Sequence, residues 1–77
     1  MAGMRFEKGS EEWRMFTDFW ALCQKYWIPD NTDEYWDSFI RESNDFCDKY
    51  KGVTDGIFPA KLAMAILDAK EEERKKL

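Results

Sequence analysis

Aromatic side chains spaced along two consecutive segments constrain this chain more than any other feature. Thirteen of its 77 residues are Phe, Trp or Tyr. One segment supplies Trp13, Phe16, Phe19, Trp20, Tyr26 and Trp27, and the next supplies Tyr35, Trp36, Phe39, Phe46 and Tyr50. Each buried ring removes roughly 150–250 Å² from water. A domain of about 60 residues buries only about 60% of its unfolded surface. Large rings are therefore one route to a stable core without disulfides or a metal. The length sets one domain of about two to four helices, with no room for a deep cleft.

The ring spacing is helical. Ser10 is a good N-cap, and Glu11 and Glu12 follow in the first turn, where carboxylates complement the helix dipole. From Glu11 to Trp27, at about 100° per residue, Trp13, Phe16, Phe19, Trp20, Cys23, Tyr26 and Trp27 share one side. Arg14, Thr17, Asp18, Gln24 and Lys25 take the other. This arc makes Trp20 the expected core anchor, and Trp20→Ala is expected to cost about 3–5 kcal/mol. Pro29 ends the helix, and Asn31 with Glu34 has the spacing of a capping box for the next. That second helix runs to about Lys51, with Gly52 placed to stop it. Its inner face collects Tyr35, Trp36, Phe39, Ile40, Ser43, Phe46, Cys47 and Tyr50.

Val53 to Phe58 reads as a turn around Asp55-Gly56, and Pro59 suits the first turn of a third helix from Ala60 to about Lys75. Leu62, Ile66 and Ala69 form one stripe on it, widened by Ala65, and Ala63 and Leu67 form a second. Residues 1–9 read as a flexible N-terminal segment, and no internal repeat stands out. The expected fold is all-α: a compact three-helix bundle over residues 10–77 with an aromatic-rich core, its first two helices antiparallel.

The chemistry available is limited. The chain has no histidine, which removes the commonest general base and the commonest zinc ligand. Cys23 and Cys47 lack a CxxC spacing and read as reduced structural thiols. Asp30, Asn31, Asp33 and Glu34 lack the length and the bend glycine of a calcium loop and read as helix caps. Ser43 has no glycine-flanked elbow or companion base; it reads as a small packing residue whose hydroxyl bonds back along its helix. No catalytic residue, cofactor or metal is expected. The first residues lack the apolar core of a signal peptide, and no stretch approaches the ~18 apolar residues of a membrane span. The expectation is a cytoplasmic, non-enzymatic protein.

The net charge of −4 is unevenly placed. Residues 30–51 hold seven acids and three bases, whereas both flanks balance. The excess falls on the outer face of the second helix, where Glu34, Asp37, Arg41, Asp45 and Asp48 are the candidate partner-binding residues. Asp37 with Arg41 and Arg41 with Asp45 have the spacing of an exposed salt-bridge ladder. An acidic segment without a basic stripe argues against a nucleic-acid binder. The aromatic stripe reads mainly as core. Its rings nonetheless exceed what one small core needs, so one or two exposed rings are expected, as at protein interfaces.

Phe19-Trp20 with Lys25-Tyr26-Trp27 and Pro29, Glu34-Tyr35-Trp36, Asp48-Lys49-Tyr50-Lys51, and Phe58 with Lys61-Leu62-Ala63-Met64-Ala65-Ile66 form a recognisable pattern. In it the chain resembles small uncharacterised helical proteins of Firmicutes phages and integrative mobile elements. The resemblance implies a mobile-element origin and carries no activity or site residues. The leading expectation is a protein-interaction module whose partner is another protein, with a homodimer left open. The alternatives are an acidic inhibitor that mimics nucleic acid toward a DNA- or RNA-binding enzyme, and a small helical nucleic-acid-binding regulator.

Overall fold

Among the described residues three α-helices form, and their starts have local causes. The computed structural model describes residues 3–77, so Met1 and Ala2 of the N-terminal segment lie outside the described residues. Helix α1 spans Glu11–Lys25, α2 spans Asp33–Lys49 and α3 spans Ile57–Arg74, with a short 3-10 turn at Val53–Gly56. Ser10 caps α1 by accepting from the Trp13 amide at 3.2 Å. The cap of α2 is Thr32 rather than Asn31. Its hydroxyl accepts from the Tyr35 amide at 3.3 Å, while the Asp30 carboxylate accepts from the Thr32 amide at 3.2 Å.

Between α1 and α2, side chains satisfy the carbonyls that helix geometry abandons. The Tyr35 hydroxyl donates to the Tyr26 carbonyl at 2.7 Å, Lys70 Nζ to that of Trp27 at 2.7 Å, and Trp36 Nε1 to that of Asp30 at 2.8 Å. At the second junction Gly52 is right-handed, contrary to expectation, and the left-handed residues come later: Thr54, Asp55 and Gly56 at φ 47°, 56° and 80°. Positive φ is costly for a β-branched residue. The Thr54 hydroxyl accepts from the Phe58 amide at 2.9 Å, in the first turn of α3, whose N-cap is Gly56.

The helices alternate in direction, as the contacts at both ends require. The start of α1 meets the end of α2, and the start of α3 meets the end of α2. Two buried clusters fill the space between them. Met15, Phe46, Tyr50, Val53 and Ala63 occupy one end, and Leu22, Tyr26, Phe39 and Ile66 the other, with Phe19 packed against both. Phe39 is fully buried. Its ring lies parallel to Tyr26 at 4.4 Å between centroids and meets the edge of Tyr35 at 5.7 Å.

A pair of matching clamps joins α1 to α2. Lys25 Nζ donates to Glu42 at 2.7 Å, and the Tyr26 hydroxyl donates to the same carboxylate. At the other end Lys49 Nζ donates to Asp18 at 2.9 Å, and the Tyr50 hydroxyl donates to that carboxylate. The clamps expose an internal repeat that periodicity alone passes over. Leu22-Cys23-Gln24-Lys25-Tyr26 and Phe46-Cys47-Asp48-Lys49-Tyr50 match at an offset of 24 residues, as do Asp18 with Glu42 and Met15 with Phe39. Each helix ends in the Lys-Tyr pair that grips the other's carboxylate.

Several inner-face assignments are corrected. Trp20 is 68% exposed and is no core anchor; Met15 and Leu22 bury the face of α1 instead. Ile40, Ala65 and Ala69 are exposed, while Ala63 is buried and Leu67 half-buried. Ser43 is buried as expected, but among the described residues its hydroxyl has no hydrogen-bond partner. Lys70 is 2% exposed, which the sequence does not signal. Its ammonium sits 3.9 Å from the Trp27 ring centroid and donates to the Glu73 carboxylate at 3.1 Å as well as to the Trp27 carbonyl. Both cysteines are free and half-buried, and burial pushes both thiols above their ordinary range.

Two predictions follow from this core. Phe39→Ala should cost about 3–5 kcal/mol in urea unfolding, the range for emptying a buried aromatic site; a loss under about 1 kcal/mol would contradict the packing. Asp18 carries the pH dependence. Burial pushes its carboxyl up, but the hydrogen bonds from Lys49 and Tyr50, with the charges of Lys49 and Arg14, outweigh burial and hold it below its ordinary value of 3.8. Its contribution to stability is therefore present above about pH 4 and lost as pH falls through the lowered folded value. Asp18→Asn should flatten the acid limb of the stability curve below about pH 4, and an unchanged limb would contradict the clamp.

Candidate interaction surface

α1 carries two apolar seams. Met15, Phe19, Leu22 and Tyr26 face the other helices. Trp13, Phe16, Trp20 and Cys23 form a second seam, spaced alternately three and four residues apart, and Trp27, just past the end of α1, extends it beside Trp20 and Cys23. On an ideal helix the two seams are centred roughly 100° apart. Two neighbouring helices cover the first, and the second is left toward solvent. Trp20 and Trp27 are 68% and 63% exposed and Phe16 36%, while Trp13 and Cys23 are half-buried.

Neighbouring apolar side chains extend the seam without covering it. Phe6 stacks on Phe16 at 5.5 Å and Phe58 meets the same ring edge-on at 5.9 Å, yet both remain more than two-fifths exposed. Ile28, beyond Trp27, is 82% exposed. Trp20 stands between two shallow grooves. One, of about 430 Å³, is lined by Phe6, Trp13, Phe16, Thr17 and Trp20. The other, of about 460 Å³, is lined by Trp20, Cys23, Gln24 and Trp27. The four exposed rings Phe6, Phe16, Trp20 and Trp27 leave on the order of 500 Å² to water, near the upper end of the largest patch on a typical monomer.

Within α1 the arc is also free of charged residues. The residues on this side of α1, from Cys23 around to Ala21, include Thr17 and Gln24 but no acid or base. Charged side chains make up 36% of the chain, so a solvent-facing helix surface without one is a marked departure.

The acidic residues occupy a different surface. Glu34, Asp37, Arg41, Asp45 and Asp48 are all exposed, on the side of α2 opposite Phe39, Ser43, Phe46 and Tyr50. The expected Asp37–Arg41–Asp45 ladder does not form. Among the described residues the ion pairs join Lys25 to Glu42, Lys49 to Asp18, Lys70 to Glu73, Arg74 to Glu71 and Lys75 to Glu72. Lys25 and Lys49 are thus held by the α1–α2 clamps. Asp45 borders the groove between α1 and α2 with Lys25, Glu42 and Lys49.

Sequence reasoning named the rings of the exposed seam, placed them mainly in the core and expected one or two exposed; Phe16, Trp20 and Trp27 all are. The signal that separates the seams is the run Trp13, Phe16, Trp20, Cys23, Trp27, which keeps its own three-four spacing beside that of Met15, Phe19, Leu22 and Tyr26. Among the described residues no three carboxylate or thiol side chains converge as metal ligands, and no helix is long and apolar enough to cross a membrane. No family model, curated protein or solved structure matches this chain.

Exposure of the seam makes a direct prediction. Trp20→Lys should change stability by less than about 1 kcal/mol in dilute solution and should lower the binding of an apolar dye to the native chain. A destabilisation above about 2 kcal/mol, of the size seen for core truncation, would place Trp20 in the core after all.

Proposed function

We propose that this chain is a non-enzymatic protein-interaction module that docks a partner through the second seam of α1. One observation carries the reading: an aromatic arc to which α1 contributes no charged residue stands in water on a helix whose other apolar face is already filled. Exposed tryptophans flanked by grooves are the usual anchors of protein interfaces. The three-four spacing suits a helical partner, whose side chains would interlock with the rings as knobs into holes. The resemblance to small helical proteins of phages and integrative elements supports a cytoplasmic accessory role in a mobile element.

The acidic face of α2 supports a second reading, that of an inhibitor presenting carboxylates to a basic surface. Glu34, Asp37, Asp45 and Asp48 are exposed and, among the described residues, without ion-pair partners. Such a face speeds encounter with a basic partner in a salt-dependent way.

A photo-crosslinking amino acid placed in the source cell separates the two. At Thr17, beside the seam, it should trap protein; at Asn44, on the exposed side of α2, it should trap little. Trapping only at Asn44, lost at high salt, would transfer the function to the acidic face. No trapped protein at either position would end the interaction-module reading.

A further inference from the structure

We infer that α3 is an exchangeable helix: the segment Thr54 to Phe58 is a hinge that opens, and α3 then docks on the α1–α2 pair of a second copy of this chain while that copy's α3 docks in return. The inference is independent of what the exposed seam of α1 receives. The hinge is strained. Thr54 and Asp55, at φ 47° and 56°, are the residues other than glycine that take the left-handed region among the described residues. That conformation is costly for a β-branched side chain and persists only where the surroundings impose it. What imposes it here is the tight turn that returns α3 along α2. Extending the segment lets both residues relax to ordinary backbone.

Little opposes the opening. Thr54, Asp55, Ile57 and Phe58 are exposed. Straightening them gives up the bonds from the Ile57 and Phe58 amides to Thr54 and the edge contact of Phe58 with Phe16, all at the surface. Core burial resumes on either side, at Val53 and at Pro59. The stretch from Val53 to Pro59 reaches about 20 Å when extended. That is nearly two helix diameters, enough to carry α3 across to an adjacent copy.

The α1–α2 pair is held together without α3. Lys25 and Tyr26 grip Glu42, Lys49 and Tyr50 grip Asp18, and the Tyr26 ring stacks on Phe39. α3 itself buries a narrow stripe of Pro59, Ala63, Ile66 and Lys70. Its demands are specific. Ala63 belongs to the cluster with Phe46, Ile66 to the cluster with Phe39, and the Lys70 ammonium needs the carbonyl and ring of Trp27. A second copy supplies these groups in the same register. Every contact of the closed chain is then remade and the hinge alone differs, which is why exchange of an identical element is a low-cost route to a dimer and why strained short hinges favour it.

Refolding at two concentrations tests the exchange. Chains refolded from urea at high concentration should give a dimer of twice the 9.2 kDa mass, and chains refolded in dilute solution the monomer. Thr54→Gly relieves the closed hinge of both chains and should lower the dimer association constant at least about fivefold, with an unchanged helical spectrum. Leu62 and Cys47 pack against the same cluster. In a chain carrying Leu62→Cys and Cys23→Ser, a short thiol-bridging reagent should join position 62 to Cys47 within one chain in the monomer and between chains in the exchanged dimer. The dimer, bridged and then denatured, should therefore keep its doubled mass. Bridges confined to single chains, a chain monomeric after refolding at every concentration, or a dimer yield indifferent to Thr54→Gly would overturn the exchange.

Discussion

A helix in a three-helix bundle is covered by two neighbours over part of its circumference, and the remainder meets water. α1 carries apolar residues over more of its circumference than that. Met15, Leu22 and Tyr26 are buried on one seam, and Trp13, Phe16, Trp20, Cys23 and Trp27 lie on another. One chain of this length can satisfy only one of them. The choice falls on the seam with the aliphatic residues, because they interlock with Phe39, Phe46 and Ile66 within two closely packed clusters. The larger rings are left outside. Burial is thus decided by which set fits the opposing helices, not by which has more apolar area.

What holds that choice in place is polar. The Lys25-Tyr26 pair on Glu42 and the Lys49-Tyr50 pair on Asp18 fix the register of α1 against α2 from both ends. Rotating α1 to bury the second seam would carry Asp18 and Lys25 away from their partners. Exposed ion pairs contribute little individually, so their role here is orientation. Tyr26 and Tyr50 serve both purposes, with ring faces in the core and hydroxyls on the carboxylates. Lys70 adds a third restraint by tying the end of α1 to α3 through the Trp27 carbonyl and ring.

Much of this was legible in the sequence. Ser10, Pro29 and Pro59 mark helix boundaries to within a few residues, and the core positions Phe39, Ser43, Phe46 and Tyr50 follow from spacing. The acidic face of α2 also lies where the pattern puts it, with the polar Asp33, Ser38 and Asn44 beside it. α1 was harder because its aromatic positions spread over an arc of about 140° that runs from the buried seam into the exposed one. A moment-like reading then centres on the heaviest rings, between the two seams, and favours Trp20 over Met15. Lys70 was hidden because its burial depends on a carbonyl and a ring contributed by Trp27, which is distant in sequence. The 24-residue repeat was present in the letters, but its meaning rests on the reciprocal clamps that only the three-dimensional contacts display.

The central claim is that the folded chain leaves the second seam of α1 in water. The four indole N–H groups give separate NMR signals, and a soluble paramagnetic probe reports which are exposed. In dilute solution the Trp20 and Trp27 indoles should broaden strongly, and the Trp36 indole, which donates to the Asp30 carbonyl, should broaden less. Equal protection of Trp20 and Trp36 in the dilute chain would contradict the account.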